Sequence, residues 1–354
     1  MLLLVVFILL LSFYILAKVC DDYFVESLDE IAKKLKLSSD AAGATLMAVG
    51  SSAPELFVAI IAVIKPGNHE QIGMGTIVGS AIFNLLVIAG VVGLIKPFKV
   101  NWHIVLRDLL FYFVAVLFLY SVFIDGNITL LEGILFILLY VFYVYLVIIW
   151  RKLVPFEPEV KDIHENIKEI NKEKSFVVKW LNQLVKPIDF IMAKFFSISS
   201  NVFFVFFGSI LIIGLASWVL VESAISISAI LEIPKALVAL TVLAVGTSIP
   251  DMLSSIIVAK QNRGGMAVTN AIASNIFDIL IGLGIPFLIL IIMYGRTVPI
   301  GTAELINSTG LLILSIIGML VLMILNKWHI GKRMGISLIV FYIAFLVYQF
   351  ITIG

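Results

Sequence analysis

Three acidic residues stand where acids are costly. Glu55, Asp251 and Asp278 each lie deep in an apolar segment, whereas most other acids fall in polar loops or near segment ends. A charged side chain at mid-bilayer costs about 2.5–3.5 kcal/mol on insertion scales, and such residues usually face an interior cavity and handle ions or protons. The plain alternative is a structural ion pair, but no Lys or Arg lies at matching depth apart from Lys18. Gly50-Ser51-Ser52-Ala53-Pro54 leads to Glu55, and Gly246-Thr247-Ser248-Ile249-Pro250 leads to Asp251. Proline has no N–H and clashes with the carbonyl four residues back, here that of Gly50 or Gly246. Both segments are therefore expected to break near their middle. Freed carbonyls are tolerated there only if they are buried in protein or line a wet cavity.

Each break offers carbonyl oxygens, two hydroxyls and one carboxylate. Ca²⁺ takes about 6–8 oxygen ligands in flexible geometry, and Glu55 and Asp251 together would neutralise one such ion. Na⁺ or K⁺ could use the same oxygens. A transition metal would prefer imidazole or thiolate, yet Cys20 is the single cysteine and His69, His103, His164 and His329 stand apart. Asp278 and Asn84, with Ser80, Ser274 and Asn275 on the same segments, would add oxygens for a neighbouring site. No H-E-x-x-H zinc motif, Walker A loop or GxGxxG is present, so neither zinc hydrolysis nor nucleotide chemistry is expected. No cofactor is expected either.

The elements that position these residues are membrane helices. Of 354 residues, 62% are apolar and only 13% charged, with a mean hydropathy of +1.16. Ordinary soluble chains carry about 45–50% and 25%. The net charge of +1 gives no field for nucleic acid. A span needs about 20 apolar residues. Ten are expected: 2–20 (continuing as helix toward 35), 40–64, 72–95, 102–123, 129–150, 202–231, 236–259, 266–293, 302–325 and 333–352. The first lacks the basic n-region of a secretory signal and reads as a membrane helix. Residues 151–200 form one long polar stretch, expected to be a solvated linker with some helix. Numbering the loops from an outside N-terminus puts twenty basic residues inside and only Lys65, Lys235 and Arg296 outside. Both termini are thus expected outside and the linker in the cytoplasm.

The chain repeats itself. TLMAVGSSAPE at 45–55 matches TVLAVGTSIPD at 241–251, and the same offset of 196 aligns Glu26 with Glu222. GSAIFN at 79–84 matches ASNIFD at 273–278 at an offset of 194, pairing Asn84 with Asp278. The expected fold is an all-α integral membrane protein of ten helices in two five-helix halves, 1–150 and 201–354, flanking the 151–200 linker. Five is odd, so the halves are inverted, which places a site near the midplane at their interface. Helices 2 and 7 are the broken ones.

GATLMAVGSSAPEL with GTIVGSAIFN, and ALTVLAVGTSIPDMLSSIIVA with ASNIFDI, resemble the two alpha repeats of the cation/calcium exchanger superfamily, here about 40–95 and 236–293. They look closest to the sodium/calcium exchangers. The resemblance implies electrogenic Na⁺/Ca²⁺ exchange by alternating access, with no enzyme activity. It implies that Glu55 and Asp251 bind Ca²⁺ directly, with carbonyls from Ser51 and Thr247. Ala48, Ala244, Ser52, Ser248, Ser80 and Ser274 would line Na⁺ sites, and Asn84 and Asp278 would complete the centre. SNIFD, ending in Asp278, and the hydroxyl of Ser254 look like the potassium-dependent branch, which uses an acid at the 278 position for K⁺. Val58 stands where that branch would carry a hydroxyl.

The resulting reading is a cell-membrane antiporter acting as a monomer, which exports Ca²⁺ on the inward Na⁺ gradient. Helices 1 and 6 would slide against the bundle, and small residues on helix 6 (Gly208, Ser209, Gly214, Ala216, Ser217) suit close packing. The nearest rival is a Ca²⁺/H⁺ antiporter, in which the three acids carry protons. A cation channel fits less well, because channels usually present rings of equivalent groups. An intramembrane aspartyl protease using Asp251 and Asp278 would lack its G-x-G-D setting and leave Glu55 unexplained.

Overall fold

The computed structural model describes residues 1–34, 50–67, 69–153, 176–198, 201–261, 263–295, 298–300 and 302–353. The chain opens with α1 (Leu2–Val19), a π-helical turn at Cys20–Phe24 and α2 (Val25–Lys34). Lys18 sits one turn before Asp22 and pairs with it at 2.6 Å. The only cation near the depth of the acids is therefore already engaged on its own helix.

The two expected breaks take different forms. In the first half, α3 (Ala53–Ile64) begins after Ser52, whose φ of −94° and ψ of 6° leave the helical region. Pro54 falls in the first turn of α3, where a missing N–H has no intrahelical partner to lose. Residues 40–49 of this span, including Ala48, lie outside the described residues. The second half departs from the expectation of a broken helix 7. There the chain runs from a short helix at Lys235–Val238 through a π-helical turn at Ala239–Leu243 into a helix at Ala244–Lys260 that continues through Pro250. Pro250 still cannot bond the Gly246 carbonyl. The irregularity lies upstream of the motif, as a widened turn, so that carbonyl is freed without unwinding the helix.

The next elements are α4 (Glu70–Phe83), a π turn at Asn84–Ile88 and α5 (Ala89–Ile95), followed by α6 (Trp102–Asp125) and α7 (Leu130–Leu153). Helix α8 (Phe176–Phe196) lies in the linker, and α9 (Val202–Leu231) opens the second half. The segments at Lys235–Val238 and Ala244–Lys260 are α10 and α11. After them come α12 (Gly264–Phe277), a π turn at Asp278–Gly282, α13 (Gly284–Tyr294), α14 (Ala303–Leu325) and α15 (Lys332–Ile353). The π turns at Asn84 and Asp278 begin at residues 194 apart, the offset of the sequence repeat. Among the described residues, nine helical segments are long and apolar enough to cross a membrane, and α3 is a shorter apolar helix.

Two small antiparallel ribbons close the ends of the bundle. Phe98–Lys99 (β1) pairs with His329–Ile330 (β4), and Asn127–Ile128 (β2) pairs with Val298–Pro299 (β3). Each ribbon joins two loops that the basic-residue count puts on the same side of the membrane. At the expected outer end, Lys235 Nζ lies 3.0 Å from His69 Nδ1. Burial, with the charges of Lys235 and Lys65, pushes the His69 pKa down, so the neutral ring accepts from the ammonium.

Burial separates inner from outer helices of similar hydropathy. The Glu70–Ile95 span is 83% buried, whereas Leu130–Trp150 is 22% buried. The inner position of α4 depends on small residues. A Cβ at Gly75 would sit 2.9 Å from the Ala239 Cβ, and one at Gly79 would strike the Leu240 carbonyl and lie 2.7 Å from the Ala244 Cβ. The Gly75–Gly79 pair thus brings α4 against α10, the following π turn and the start of α11. Helices α1 and α9 pack along each other in a second apolar cluster, separate from the main one. On α9, Ser209, Ala216 and Ser217 are buried, but a Cβ at Gly214 would meet open space, so that glycine is not part of a close contact.

Part of the linker is docked rather than solvated. Tyr14 Oη of α1 donates to Asp189 Oδ1 of α8 at 2.6 Å, Tyr23 stacks on Phe196 at 3.9 Å, and Met192 and Phe196 are buried.

Gly79→Leu is expected to destabilise the protein by more than about 3 kcal/mol, because the neighbouring atoms are backbone and cannot rotate away. Gly318→Ala, where a Cβ meets nothing within 4 Å, should leave the melting temperature unchanged or higher. Thermal unfolding in detergent, followed by size-exclusion retention, compares the two.

Candidate functional site

The acids converge where α3, α4, α11 and α12 meet. Glu55 lies in the first turn of α3 and Asp278 begins the π turn after α12, each with 1% of its surface exposed. Asp251, in α11, is half-buried and forms the accessible edge of the group. The three carboxylates are close enough for their charges to repel. Among the described residues, no Lys, Arg or His forms a salt bridge with any of them.

Most polar bonds of the site cross between the two halves of the chain. Ser80 Oγ lies 3.2 Å from Glu55 Oε1 and 2.5 Å from Ser248 Oγ. Thr247 and Ser248 also interact with the Glu55 carboxylate. Ser51 Oγ lies 3.3 Å from Ser274 Oγ. Asn84 Nδ2 donates to Asn275 Oδ1 at 3.0 Å. Asn275 Nδ2 donates to the Ala81 carbonyl at 2.9 Å and to Tyr112 Oη at 3.3 Å. Thr247 Oγ1 turns back to the Leu243 and Ala244 carbonyls, and Ser254 Oγ donates to the Asp251 carbonyl at 2.9 Å. Ala244 is fully buried with its Cβ toward Gly79. Of the sequence candidates, Glu55, Asp251, Asp278, Ser80, Ser248, Ser274, Thr247, Asn84, Asn275 and Ala244 are found on these four helices and the π turns that adjoin them, and Ser51 and Ser52 lie just before α3. Val58 packs instead in the apolar cluster of α1 and α9.

Four oxygens of this group are buried without a well-formed hydrogen bond among the described residues, Ser52 Oγ, Glu55 Oε2, Asn84 Oδ1 and Asp278 Oδ1, although the Ser52 hydroxyl lies toward the Asp278 carboxyl. A buried polar atom left unpaired costs about 1–3 kcal/mol. Three of the four are acceptors only, and two belong to carboxylates. Such a set is satisfied by a cation. It has no nitrogen or sulfur donor, and among the described residues no three of His, Cys, Asp or Glu close on one point, so hydroxyl, amide and carbonyl oxygens must complete the shell of any ion held there. The chemistry is that of hard ions held by mixed carboxylate, hydroxyl, amide and carbonyl oxygens.

A fourth buried acid shows the contrasting arrangement. Asp108 of α6 is 1% exposed, and its Oδ1 is met by Arg107 at 2.8 Å and by Tyr143 Oη at 3.2 Å. Its Oδ2 is also buried without a hydrogen-bond partner among the described residues, so what sets Asp108 apart from the acids of the site is the Arg107 guanidinium. Two further contacts escaped the sequence reading. Phe13 of α1 lies over Gly246, and Val25 of α2 lies over Gly50, so the first span covers both glycine motifs. Tyr112 also joins the site through Asn275, from a helix outside both alpha repeats. A lone tyrosine on an apolar face carries no sequence signal for such a role.

The chain matches the family described as sodium/calcium exchanger protein over residues 5–149 and 201–351. It is 29% identical to sodium/potassium/calcium exchanger 4 of Mus musculus, over 96% of this chain and 80% of that protein. It is 29% identical to sodium/potassium/calcium exchanger 5 of Homo sapiens, over 95% and 81%. Among solved structures, the H⁺/Ca²⁺ exchanger CAX superposes with a TM-score of 0.70 at 16% identity, covering 99% of this chain and 82% of that one. The sodium-calcium exchanger NCX_Mj superposes at 0.55 and 23% identity, covering 100% of both chains. Those identities speak to the fold alone. The family match covers most of the chain and both halves that meet at the acids, and on it this protein belongs to the sodium/calcium exchanger family.

Proposed function

We propose that the protein is a Na⁺/Ca²⁺ antiporter of the cell membrane, a secondary active transporter working as a monomer by alternating access. The observation that carries this reading is the group of buried oxygens without well-formed hydrogen bonds, beside three carboxylates with no protein cation among the described residues. Glu55 and Asp251 hold one Ca²⁺, with the Ser51 and Thr247 carbonyls. Na⁺ ions take the oxygens of Ser52, Ser80, Ser248 and Ser274 and the backbone at Ala244 and Ala48. Ca²⁺ and Na⁺ compete for the same carboxylates, so the site carries one or the other, and this exclusion couples the two fluxes. The reading of two inverted halves is supported by the π turns at equal offset and by ribbons that pair loops of one side. The basic-residue count supports outside termini and a cytoplasmic linker.

Charge balance gives Asp278 its role. Two carboxylates neutralise Ca²⁺, which leaves a third negative charge where unpaired charge is costly. A monovalent ion offsets it. K⁺ is favoured because the relatives noted above are named as sodium/potassium/calcium exchangers, and Asn84, the counterpart of Asp278 in the other repeat, supplies a neutral oxygen. The second reading, Ca²⁺/H⁺ exchange, draws on the likeness to CAX. In it, Asp278 carries a proton instead.

Proteoliposomes loaded with Na⁺ are expected to take up ⁴⁵Ca²⁺ only with an outward Na⁺ gradient. Uptake driven by a pH gradient with Na⁺ absent would move the protein to the second reading. Glu55→Gln and Asp251→Asn should each lower Na⁺-driven uptake about a hundredfold or more, the scale of removing one partner from a buried charge pair. Intact transport in either variant would remove these residues from the site.

Wild-type uptake is expected to rise with K⁺ on the Ca²⁺ side, and Asp278→Asn should make it K⁺-independent while Na⁺ still drives it. Titration of K⁺ at fixed Na⁺ and pH distinguishes this from a variant that is merely inactive.

A further inference from the structure

The hydrogen bonds around Asn84 run in one direction, which the Ala81 carbonyl sets and Tyr112, from outside the two repeats, completes. An asparagine amide fits its space either way round, so its neighbours decide whether it offers an oxygen or an N–H to an ion. A backbone carbonyl can only accept. The Ala81 carbonyl lies 2.9 Å from the Asn275 amide, so the Asn275 atom facing it must be Nδ2. The second hydrogen of that nitrogen is taken up by Tyr112 Oη at 3.3 Å. Asn275 Oδ1 is then the atom that meets Asn84, at 3.0 Å. Asn84 must present its own Nδ2 to that oxygen, which turns its Oδ1 away, buried and without a partner among the described residues. Asn84, Asn275, Ala81 and Tyr112 are all 0% exposed, so water cannot replace a missing bond. Phenylalanine would fill the space of the Tyr112 ring equally well; the hydroxyl serves Asn275.

We propose that Tyr112 is a positioning residue for the cation site: by accepting the second Asn275 N–H it reinforces the orientation that the Ala81 carbonyl dictates, so that the Asn275–Asn84 amide pair stays locked and Asn84 offers Oδ1, not N–H, to the monovalent cation beside Asp278. The proposal rests on the antiport reading. With the pair reversed, an N–H dipole would point at the ion and oppose binding.

The test compares wild type, Tyr112→Phe and Tyr342→Phe in the full chain. Tyr342 is a matched control, since its buried hydroxyl has no partner and its ring packs edge-on to Phe83. Na⁺-driven ⁴⁵Ca²⁺ uptake is measured while Na⁺ and K⁺ are titrated separately. Tyr112→Phe is expected to raise the half-saturating concentration of the monovalent ion about tenfold, the consequence of leaving one buried N–H unpaired. The maximal rate should change less, and Tyr342→Phe should match wild type. In an Asn84→Ala background, adding Tyr112→Phe should change nothing further, whereas independent packing effects would add. Unchanged half-saturation in Tyr112→Phe, or additivity with Asn84→Ala, overturns the proposal. If Tyr112→Phe is not recovered folded, Asn275→Ala takes its place with the same expected rise. A wild type that transports nothing on a Na⁺ gradient sinks the antiport reading instead. Stabilisation of the purified protein by Na⁺ or K⁺ in a thermal shift then decides the role of Tyr112: a stabilisation weakened in Tyr112→Phe keeps it, and one that is equal or missing in both proteins overturns it.

Discussion

The structure depends on three acidic side chains at the helix interface for which, among the described residues, the protein supplies no cation. Asp108 shows that the chain can neutralise a buried carboxylate, since Arg107 and Tyr143 both reach it. At Glu55, Asp251 and Asp278 the chain supplies hydroxyls instead of a cation, and leaves four oxygens without well-formed hydrogen bonds among the described residues. Such a centre is costly when empty. It persists because the surrounding helices are too closely packed to relax around it. Gly75 and Gly79 hold α4 against the backbone of the Ala239–Leu243 turn and α11, and that approach brings Ser80 to both Glu55 and Ser248. The same close packing that makes the centre unfavourable without an ion preorganises it for one.

Irregular backbone is concentrated around this centre. Among the described residues, three of the four π turns adjoin helices that carry site residues: those at Asn84 and Asp278 follow α4 and α12, and that at Ala239 precedes α11. A π turn admits one extra residue and leaves carbonyls free without breaking the helix, and such turns recur at functional sites. This suits an inner helix, where unwinding would strand backbone groups away from water. The equal placement of the turns at Asn84 and Asp278 also makes their chemical difference visible. One half presents a neutral amide where the other presents a charge, so the two halves share a frame and divide the work.

Much of this was legible in the sequence. The acids were identifiable because each is a charge in an apolar run, and the repeat because Gly, Ser and Pro recur in register. Helix limits such as 202–231 and 302–325 followed from hydropathy to within a residue or two. The form of the second break was not legible. Proline and glycine report a lost hydrogen bond, but whether the helix unwinds or widens is decided by its neighbours, and the same motif gives a break at Ser52 and a continuous helix through Pro250. The docking of α8 was hidden because its charges read as solvated, while the contacts of Tyr14 and Phe196 are tertiary. Tyr112 escaped because the direction of an amide network is a property of the assembled site.

The two apolar clusters bear on how such a centre can be exposed to alternate sides. The cluster of α1 and α9 is built mainly from its own helices and touches the main bundle through small or smooth faces, such as Ala53, Ala62, Val238 and Ala239. The polar ties to the bundle are few on this side; Lys65 joins α9 through Glu222 and lies 4.3 Å from the Trp218 ring centroid, near the membrane surface. By contrast, the four helices of the site are cross-linked by hydrogen bonds from Ser80, Asn84 and Asn275. Interfaces held by apolar contact shift at lower cost than those held by buried polar bonds, since sliding exchanges one apolar contact for another and leaves no group unpaired. Phe13 of α1 over Gly246 and Val25 of α2 over Gly50 place this weakly tied first span directly on the two glycine motifs, so any shift of it against the bundle would change how those motifs are covered.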